Sequence, residues 1–156
     1  MKFRFIDIDR VIEEKAGKPI TEIFADEGEE AFRAMERECV ECELPAGGCV
    51  ISCGGGLIAQ PGMAELLKSK GMVIALFASV ETICERTGRN DRRPLLQCED
   101  PEAKVRELMQ QRFPDYCKAC ASVSTDKRPI RDVVEHISRI YHAAITKSVK
   151  TVSATR

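Results

Sequence analysis

The sequence lacks the features that mark three broad classes of protein. Its 24 basic and 25 acidic residues leave a formal net charge of −1, so no basic field argues for a nucleic-acid partner. No apolar run approaches the roughly 18 residues of a membrane span. The first residues include the acidic pair Asp7 and Asp9, which is unlike a signal peptide. We therefore expect a cytoplasmic protein without a nucleic-acid or membrane partner.

Length and composition indicate a single globular domain. With 156 residues, 44% of them hydrophobic and 31% charged, the chain can bury a core without disulfide bonds. No internal repeat divides it. We place the domain at residues 1–145 and expect residues 146–156, which are rich in Ser, Thr and Lys, to form a disordered tail.

Eight cysteines are many for a chain of this length. Four of them form two C-x-x-C pairs, Cys39 with Cys42 and Cys117 with Cys120, and such pairs can hold zinc or act as a redox dithiol. Both pairs fall within predicted helices rather than in tight turns, which favours the role of small buried hydrophobes. Zinc binding and redox chemistry stay open as alternatives.

Apolar runs alternate with helical patterns along the chain, which predicts an α/β fold with a parallel sheet. The predicted strands cover residues 3–9, 49–53, 72–78 and 121–124. The predicted helices cover residues 10–16, 27–44, 61–70, 80–87, 101–120 and 129–144. Residues 19–24 are predicted to form a turn, and we expect Pro114 to interrupt its helix.

The first predicted strand ends in Asp7 and Asp9, and the second runs into Gly54-Gly55-Gly56. Aspartate disfavours strand interiors, and the alternation of side chains points both carboxylates the same way. Ligands of parallel sheets bind at the carboxyl ends of the strands, so aspartates and glycines should face one crevice. Because glycines allow a close approach to the backbone, the first interpretation of the three is a phosphate cradle. Two carboxylates beside a glycine platform also suit a metal ion and a polar substrate.

A series of motifs, taken together and in order, resembles the shikimate kinase family. The stretch from Phe5 to Glu13 resembles F-x-D-x-D-x-x-I-E. The other matching stretches are Gly28-Glu29-x-x-Phe32-Arg33-x-x-Glu36, Ser52-x-Gly54-Gly55-Gly56, Arg93-Pro94-Leu95-Leu96 and Arg112-x-Pro114-x-Tyr116. The resemblance implies a monomer that transfers a phosphoryl group from ATP to the 3-hydroxyl of shikimate, with Mg²⁺, in aromatic amino acid biosynthesis. It also implies a three-layer fold whose parallel strands have the order 2-3-1-4-5.

The resemblance further implies roles for the residues of the substrate pocket. Asp7 matches the magnesium aspartate, and Asp9 matches the aspartate that binds the substrate hydroxyls and acts as base. Arg33 and Arg112 match the two arginines that hold the shikimate carboxylate, a task that suits the guanidinium fork. The triple glycine becomes the floor of the shikimate pocket instead of a phosphate cradle.

The residues alone allow plainer alternatives for the same side chains. The aspartates could cap a turn. Arg33 could form a surface pair at i,i+4 spacing, and Arg112 could lie on a solvated helix face. Within the resemblance, Glu36 is the partner that orients Arg33.

On the nucleotide side, the resemblance implies a lid at about residues 88–98. Its Arg93 would reach the transferring phosphoryl group, where a mobile cation stabilises charge and excludes water. Arg86 and Arg128 resemble the positions that flank the adenine.

One motif of the family is missing. No G-x-x-x-x-G-K-[ST] occurs in the 156 residues, although this loop holds the nucleotide phosphates in such kinases. We therefore expect an N-terminally truncated chain without the family's central first strand, inactive until its phosphate loop is supplied. The alternative is a non-catalytic shikimate-binding or partner-binding module derived from such a kinase.

Overall fold

A computed structural model describes residues 3–87 and 98–154 of the chain. Its four strands are β1 (Arg4–Asp7), β2 (Cys49–Ser52), β3 (Ile74–Phe77) and β4 (Ala121–Ser124). Its helices are α1 (Ile8–Ala16), α2 (Ile20–Asp26), α3 (Gly28–Glu38), α4 (Met63–Lys70), α5 (Val80–Thr87), α6 (Pro101–Tyr116) and α7 (Ile130–Ala154). A π-helical turn at Cys39–Glu43 extends α3, and a 3₁₀ turn at Leu57–Ala59 precedes α4.

The strands form two parallel pairs. β1 pairs with β2, with Arg4 opposite Cys49 and Asp7 opposite Ser52. β3 pairs with β4, with Ile74 opposite Ala121. The predicted α/β class with parallel strands is therefore confirmed. The single sheet with the order 2-3-1-4-5 and its missing central strand stay predictions, since the described strands form two two-stranded sheets.

The core lies among the first four helices and the 3₁₀ turn. Ile8 and Ile12 are buried one helical turn apart on α1, and Phe32 of α3 packs with them. The remaining buried members of this cluster are Ile23, Cys39, Val40, Leu57, Met63 and Leu67. This core packs α1 and α3 against the segment that follows β2, and the candidate site lies in that segment.

The first strand is shorter than predicted. It ends at Asp7, whose side chain accepts the N–H of Asp9 at 3.2 Å and so begins α1 as its N-cap residue. Asp9 therefore lies in the first turn of a helix, where strand alternation does not decide its direction. The expected turn-capping role of the pair is present for Asp7.

Three other boundaries differ from the prediction. Residues predicted as a turn form α2, with Pro19 at its N-cap. α6 continues through Pro114 to Tyr116 without an interruption. α7 extends beyond the expected end at Ala144 to Ala154, so most of the tail that we expected to be disordered is helical. No glycine or proline follows Pro129 in the sequence to end that helix.

Within the described ranges, no helix combines the length and apolar character needed to cross a membrane.

Candidate active site

The segment after β2 turns sharply at Gly54. This glycine has φ +62°, a left-handed conformation that side chains disfavour, and the chain then enters the 3₁₀ turn. A β-carbon at Gly54 would lie 3.8 Å from Oδ1 of Asp9. The predicted meeting of Asp9 with the glycines is therefore present, although Asp9 comes from a helix rather than a strand.

Gly55 receives two donors from α6. Its carbonyl oxygen accepts Nη1 of Arg112 at 3.2 Å and the hydroxyl of Tyr116 at 2.6 Å. Arg112 and Tyr116 are four residues apart, so they share one face of the helix. The predicted alternative of a solvated face for Arg112 does not apply, because its side chain is half-buried against the turn.

Gly56 is a site of close packing. A β-carbon there would lie 2.5 Å from Nη1 and 2.8 Å from Cζ of Arg33. No side chain fits in that space without moving the guanidinium, so the third glycine is required by Arg33 rather than by its own backbone conformation.

Two acidic residues of α3 hold Arg33. Its Nη1 donates to Oε2 of Glu36 at 2.8 Å, and its Nη2 donates to Oε1 of Glu29 at 2.8 Å. The expected contact with Glu36 and the alternative i,i+4 pair with Glu29 are thus both present. Burial raises the pKa of Glu36, which is 2% exposed, and the hydrogen bond from Arg33 opposes that shift.

The segment Gly54-Gly55-Gly56, which we call the glycine turn, brings together side chains from three helices. Asp9 of α1 lies beside Gly54, Arg33 of α3 lies beside Gly56, and Arg112 of α6 bonds Gly55. Two guanidinium groups beside a carboxylate can hold a small molecule that carries both a carboxylate and hydroxyl groups. Sequence reasoning missed the role of Tyr116, although its spacing from Arg112 could have indicated it.

The candidate metal residue offers one carboxylate. Asp7 caps α1, and among the described residues no group of three or more His, Cys, Asp and Glu side chains could enclose a metal ion. A Mg²⁺ ion held by one or two carboxylates and substrate phosphates needs no such cage, so Asp7 fits that mode. Of the two C-x-x-C pairs, Cys39 is buried, but Cys42, Cys117 and Cys120 are exposed, so the expected role of small buried hydrophobes is wrong for those three.

The predicted adenine-side arginines lie away from the glycine residues, around the end of β4 and the start of α7. Arg86 donates to Oγ1 of Thr125 at 2.8 Å and to its carbonyl oxygen at 3.0 Å. Arg128 donates to the carbonyl oxygens of Ser124 and Asp132, each at 3.1 Å. Arg93 and most of the predicted lid lie outside the described residues.

Comparison with known proteins gives a consistent family. A sequence model of the shikimate kinase family matches residues 1–141. The shikimate kinase of Thermus thermophilus is 46% identical over 138 residues, which are 88% of this chain and 75% of that protein. The shikimate kinase of Deinococcus radiodurans is 41% identical over 137 residues, which are 88% of this chain and 69% of that protein.

Solved structures agree with the sequence relatives. The shikimate kinase of Acinetobacter baumannii in complex with shikimate matches with a TM-score of 0.83 at 36% identity, over 91% of this chain and 80% of that one. The shikimate kinase of Aquifex aeolicus matches with a TM-score of 0.72 at 28% identity, over 92% of this chain and 83% of that one.

Proposed function

Because the chain belongs to the shikimate kinase family of phosphotransferases, we propose that it binds shikimate and phosphorylates its 3-hydroxyl from ATP. One observation carries the proposal above all others: Asp9, Arg33 and Arg112 meet at the glycine turn. Shikimate carries one carboxylate and three hydroxyls on a small ring. The turn offers cations for the carboxylate, an acceptor for a hydroxyl and a floor without side chains.

Each residue of the pocket has a separate task in this proposal. Arg33 and Arg112 hold the carboxylate, since a guanidinium can donate two parallel hydrogen bonds to it. Asp9 accepts a hydrogen bond from the reacting hydroxyl and would take its proton as the oxygen bonds to the γ-phosphorus of ATP and the bond from that phosphorus to ADP breaks. Gly54, Gly55 and Gly56 let the ring lie against the backbone.

Four residues would act on the nucleotide side of the site. Asp7 would bind Mg²⁺, which screens the phosphate charge when ATP is bound. Arg93 would approach the transferring phosphoryl group from the lid, and Arg86 and Arg128 would flank the adenine. Arg86 bonds Thr125 next to β4, and Arg128 bonds Ser124 at the end of β4, so both side chains lie at the carboxyl end of that strand. The family resemblance also leads us to propose a cytoplasmic monomer.

Phosphoryl transfer needs a phosphate-binding loop that these 156 residues do not contain. We propose that the chain is inactive without it, and that the missing segment packs beside β2 and β3 as a further parallel strand. Phe5 and Val50, which are paired in register, are 65% and 53% exposed, and Leu76 on β3 is 51% exposed. Helices normally cover both faces of a parallel sheet, so these apolar side chains are suited to a helix that would follow the added strand.

Calorimetry and a phosphoryl-transfer assay on the 156-residue chain test the proposal. We expect one shikimate bound per chain and no transfer from ATP, with activity appearing when a strand and phosphate loop are added. A folded chain that binds no shikimate contradicts the substrate assignment. Shikimate binding that stays without turnover in the lengthened protein would instead support the non-catalytic module.

A further inference from the structure

Gln60 reaches the same carboxylate oxygen that holds Arg33. Its Nε2 donates to Oε2 of Glu36 at 2.7 Å, and Nη1 of Arg33 donates to that oxygen at 2.8 Å. Gln60 directly follows the 3₁₀ turn at Leu57–Ala59, so it comes from the glycine side of the pocket while Glu36 and Arg33 come from α3. One buried oxygen therefore joins two elements of the candidate site.

The backbone around Gln60 is held by three further hydrogen bonds. Its N–H donates to the carbonyl oxygen of Leu57 at 3.1 Å, and its carbonyl oxygen accepts the N–H of Met63 at 3.0 Å. Nη2 of Arg37 donates to the carbonyl oxygen of the next residue, Pro61, at 2.6 Å and ties the loop to α3. The amide of Gln60 is thus presented to Glu36 from a fixed position.

Glu36 needs that donor because it is almost fully buried. A buried carboxylate is costly to keep ionised, and each charged hydrogen bond to it offsets part of the cost. The charged and titratable groups that face Glu36 are Arg33 on α3, Asp9 on α1 and Cys53 after β2. Arg33 favours the ionised form and the Asp9 carboxylate opposes it. The neutral amide of Gln60 adds support without adding charge.

We propose that Gln60 is a positioning residue of the shikimate pocket. Its amide keeps Glu36 ionised and in place, and Glu36 in turn fixes the guanidinium of Arg33 over Gly56. The inference rests on the proposed function, because Arg33 is the group through which Gln60 acts on the substrate. The motifs of the sequence do not include Gln60, so its role follows from the contact alone.

The test compares Gln60→Met with Gln111→Met. Methionine keeps the length of the side chain and removes the donor. Gln111 offers a matched control, because its Nε2 donates to Oε1 of Glu107 at 2.9 Å on an exposed part of α6. Calorimetry with shikimate is run for both variants from neutral to mildly acidic pH, with circular dichroism to check folding.

For Gln60→Met we expect shikimate binding about tenfold weaker at neutral pH, the effect of one lost hydrogen bond to a charged group. The loss should grow as the pH falls, because Glu36 protonates at a higher pH without its amide donor and releases Arg33. Gln111→Met should bind as the unaltered chain does. Equal affinity and an unchanged pH profile for Gln60→Met contradict the proposal.

A second measurement needs no ligand and separates this inference from the proposed function. Carbon-13 NMR follows the Glu36 carboxyl as it titrates, in the unaltered chain and in Gln60→Met, or in Gln60→Ala if the first variant does not fold. A midpoint moved to higher pH supports the contact-based role even if the chain binds no shikimate. An unmoved midpoint overturns it even if shikimate binds.

Discussion

At the scale of single residues, Arg33 satisfies two predictions that were set against each other. Its spacing from Glu29 predicts a surface ion pair, and its motif predicts a contact with Glu36; both bonds are present at 2.8 Å. The two carboxylates hold different nitrogens of one guanidinium, which leaves its face against Gly56. The surface ion pair with Glu29 and the motif contact with Glu36 are therefore compatible, because one guanidinium group makes both.

Removal of either pocket arginine should affect the two substrates unequally. Arg33→Ala and Arg112→Ala are each expected to weaken shikimate binding by roughly tenfold or more, since each loses a charge-assisted contact of about 1.5–3 kcal/mol. In a protein supplied with the phosphate loop, ATP binding should change little. Calorimetry with each ligand measures both effects. Arg106→Ala is the control, because that arginine pairs with Glu102 on the exposed side of α6. Similar losses for both ligands would indicate that these arginines support the fold instead.

A side chain at Gly56 should displace the guanidinium of Arg33. Gly56→Ala places a methyl group within 2.5 Å of Nη1 of Arg33 and must displace it, so we expect shikimate binding to fall roughly tenfold. Gly71→Ala is the matched control, because nothing lies within 4 Å of a β-carbon there and its backbone is extended. Calorimetry measures the affinity of the two variants for shikimate. An unchanged affinity for Gly56→Ala would show that Arg33 does not need its observed position.

The thiol of Cys53 should be slow to react. Burial, followed by the nearby Glu36 charge, raises the pKa of Cys53 to about 11, so the reactive thiolate is scarce at mildly alkaline pH. Alkylation should be slower at Cys53 than at the exposed Cys117 by on the order of a hundredfold. Mass spectrometry of a labelling time course gives both rates, and equal rates would contradict the assigned environment.

From the sequence, motifs could select the side chains that lie together at the glycine turn, but they could not indicate partners that only folding brings close. Asp9, Arg33 and Arg112 could be selected from their motifs, and the structure brings all three to the glycine turn. The bond between Gln60 and Glu36 spans 24 positions, so no local spacing could indicate it. The hydroxyl of Tyr116 bonds Gly55 across 61 positions, but its i,i+4 spacing from Arg112 offered a local signal for that contact.

At the scale of elements, existence and type were easier to predict than boundaries. The strands before Asp7 and Gly54 and the long helices were predicted from hydrophobic periodicity. The start of α1 was not, because Asp7 can end a strand or cap a helix, and the burial of Ile8 and Ile12 favours the helix. α2 was missed because Pro19 was interpreted as a turn residue, although proline also suits a helix N-terminus.

A pH-dependent hydrogen bond connects the segments that follow β3 and β4. The carboxylate of Asp126 accepts the N–H of Ser79 at 2.8 and 3.0 Å, and this bond, then that of the Thr82 hydroxyl, lowers the pKa of Asp126. A lowered pKa stabilises the fold above the ordinary value of 3.8, and the stabilisation is lost as the pH falls through the lowered pKa.

Asp126→Asn should therefore unfold more easily than the unaltered chain at neutral pH, with the difference shrinking in acid. Denaturant unfolding at several pH values measures it. Asp132→Asn, which changes an exposed aspartate on α7, is the control. A difference in the free energy of unfolding that does not vary with pH would show that the charge of Asp126 does not contribute to stability.

At the scale of the whole molecule, the two sheets lead to the proposed substrate side and the proposed nucleotide side. The β1–β2 sheet leads to the glycine turn and its arginines, and the β3–β4 sheet leads to Ser79, Thr125 and Arg86. α6 links them, because it packs on α5 and on the 3₁₀ turn. The family assignment could be predicted from the sequence because its motifs lie on both sides. The arrangement of the two sheets could not be predicted from the sequence, because strand order depends on pairing between residues that are far apart in the chain.

NMR of the nitrogen-15-labelled chain can show whether shikimate binds at the glycine turn, as we propose. Shikimate added to the protein should shift the backbone amides of Gly54, Gly55 and Gly56 and the guanidinium signals of Arg33 and Arg112. The amides of Gly17 and Gly71, which lie at helix ends away from the turn, should stay unchanged. Shifts confined to other parts of the chain, or no shifts at saturating shikimate, would contradict the placement of shikimate at the glycine turn.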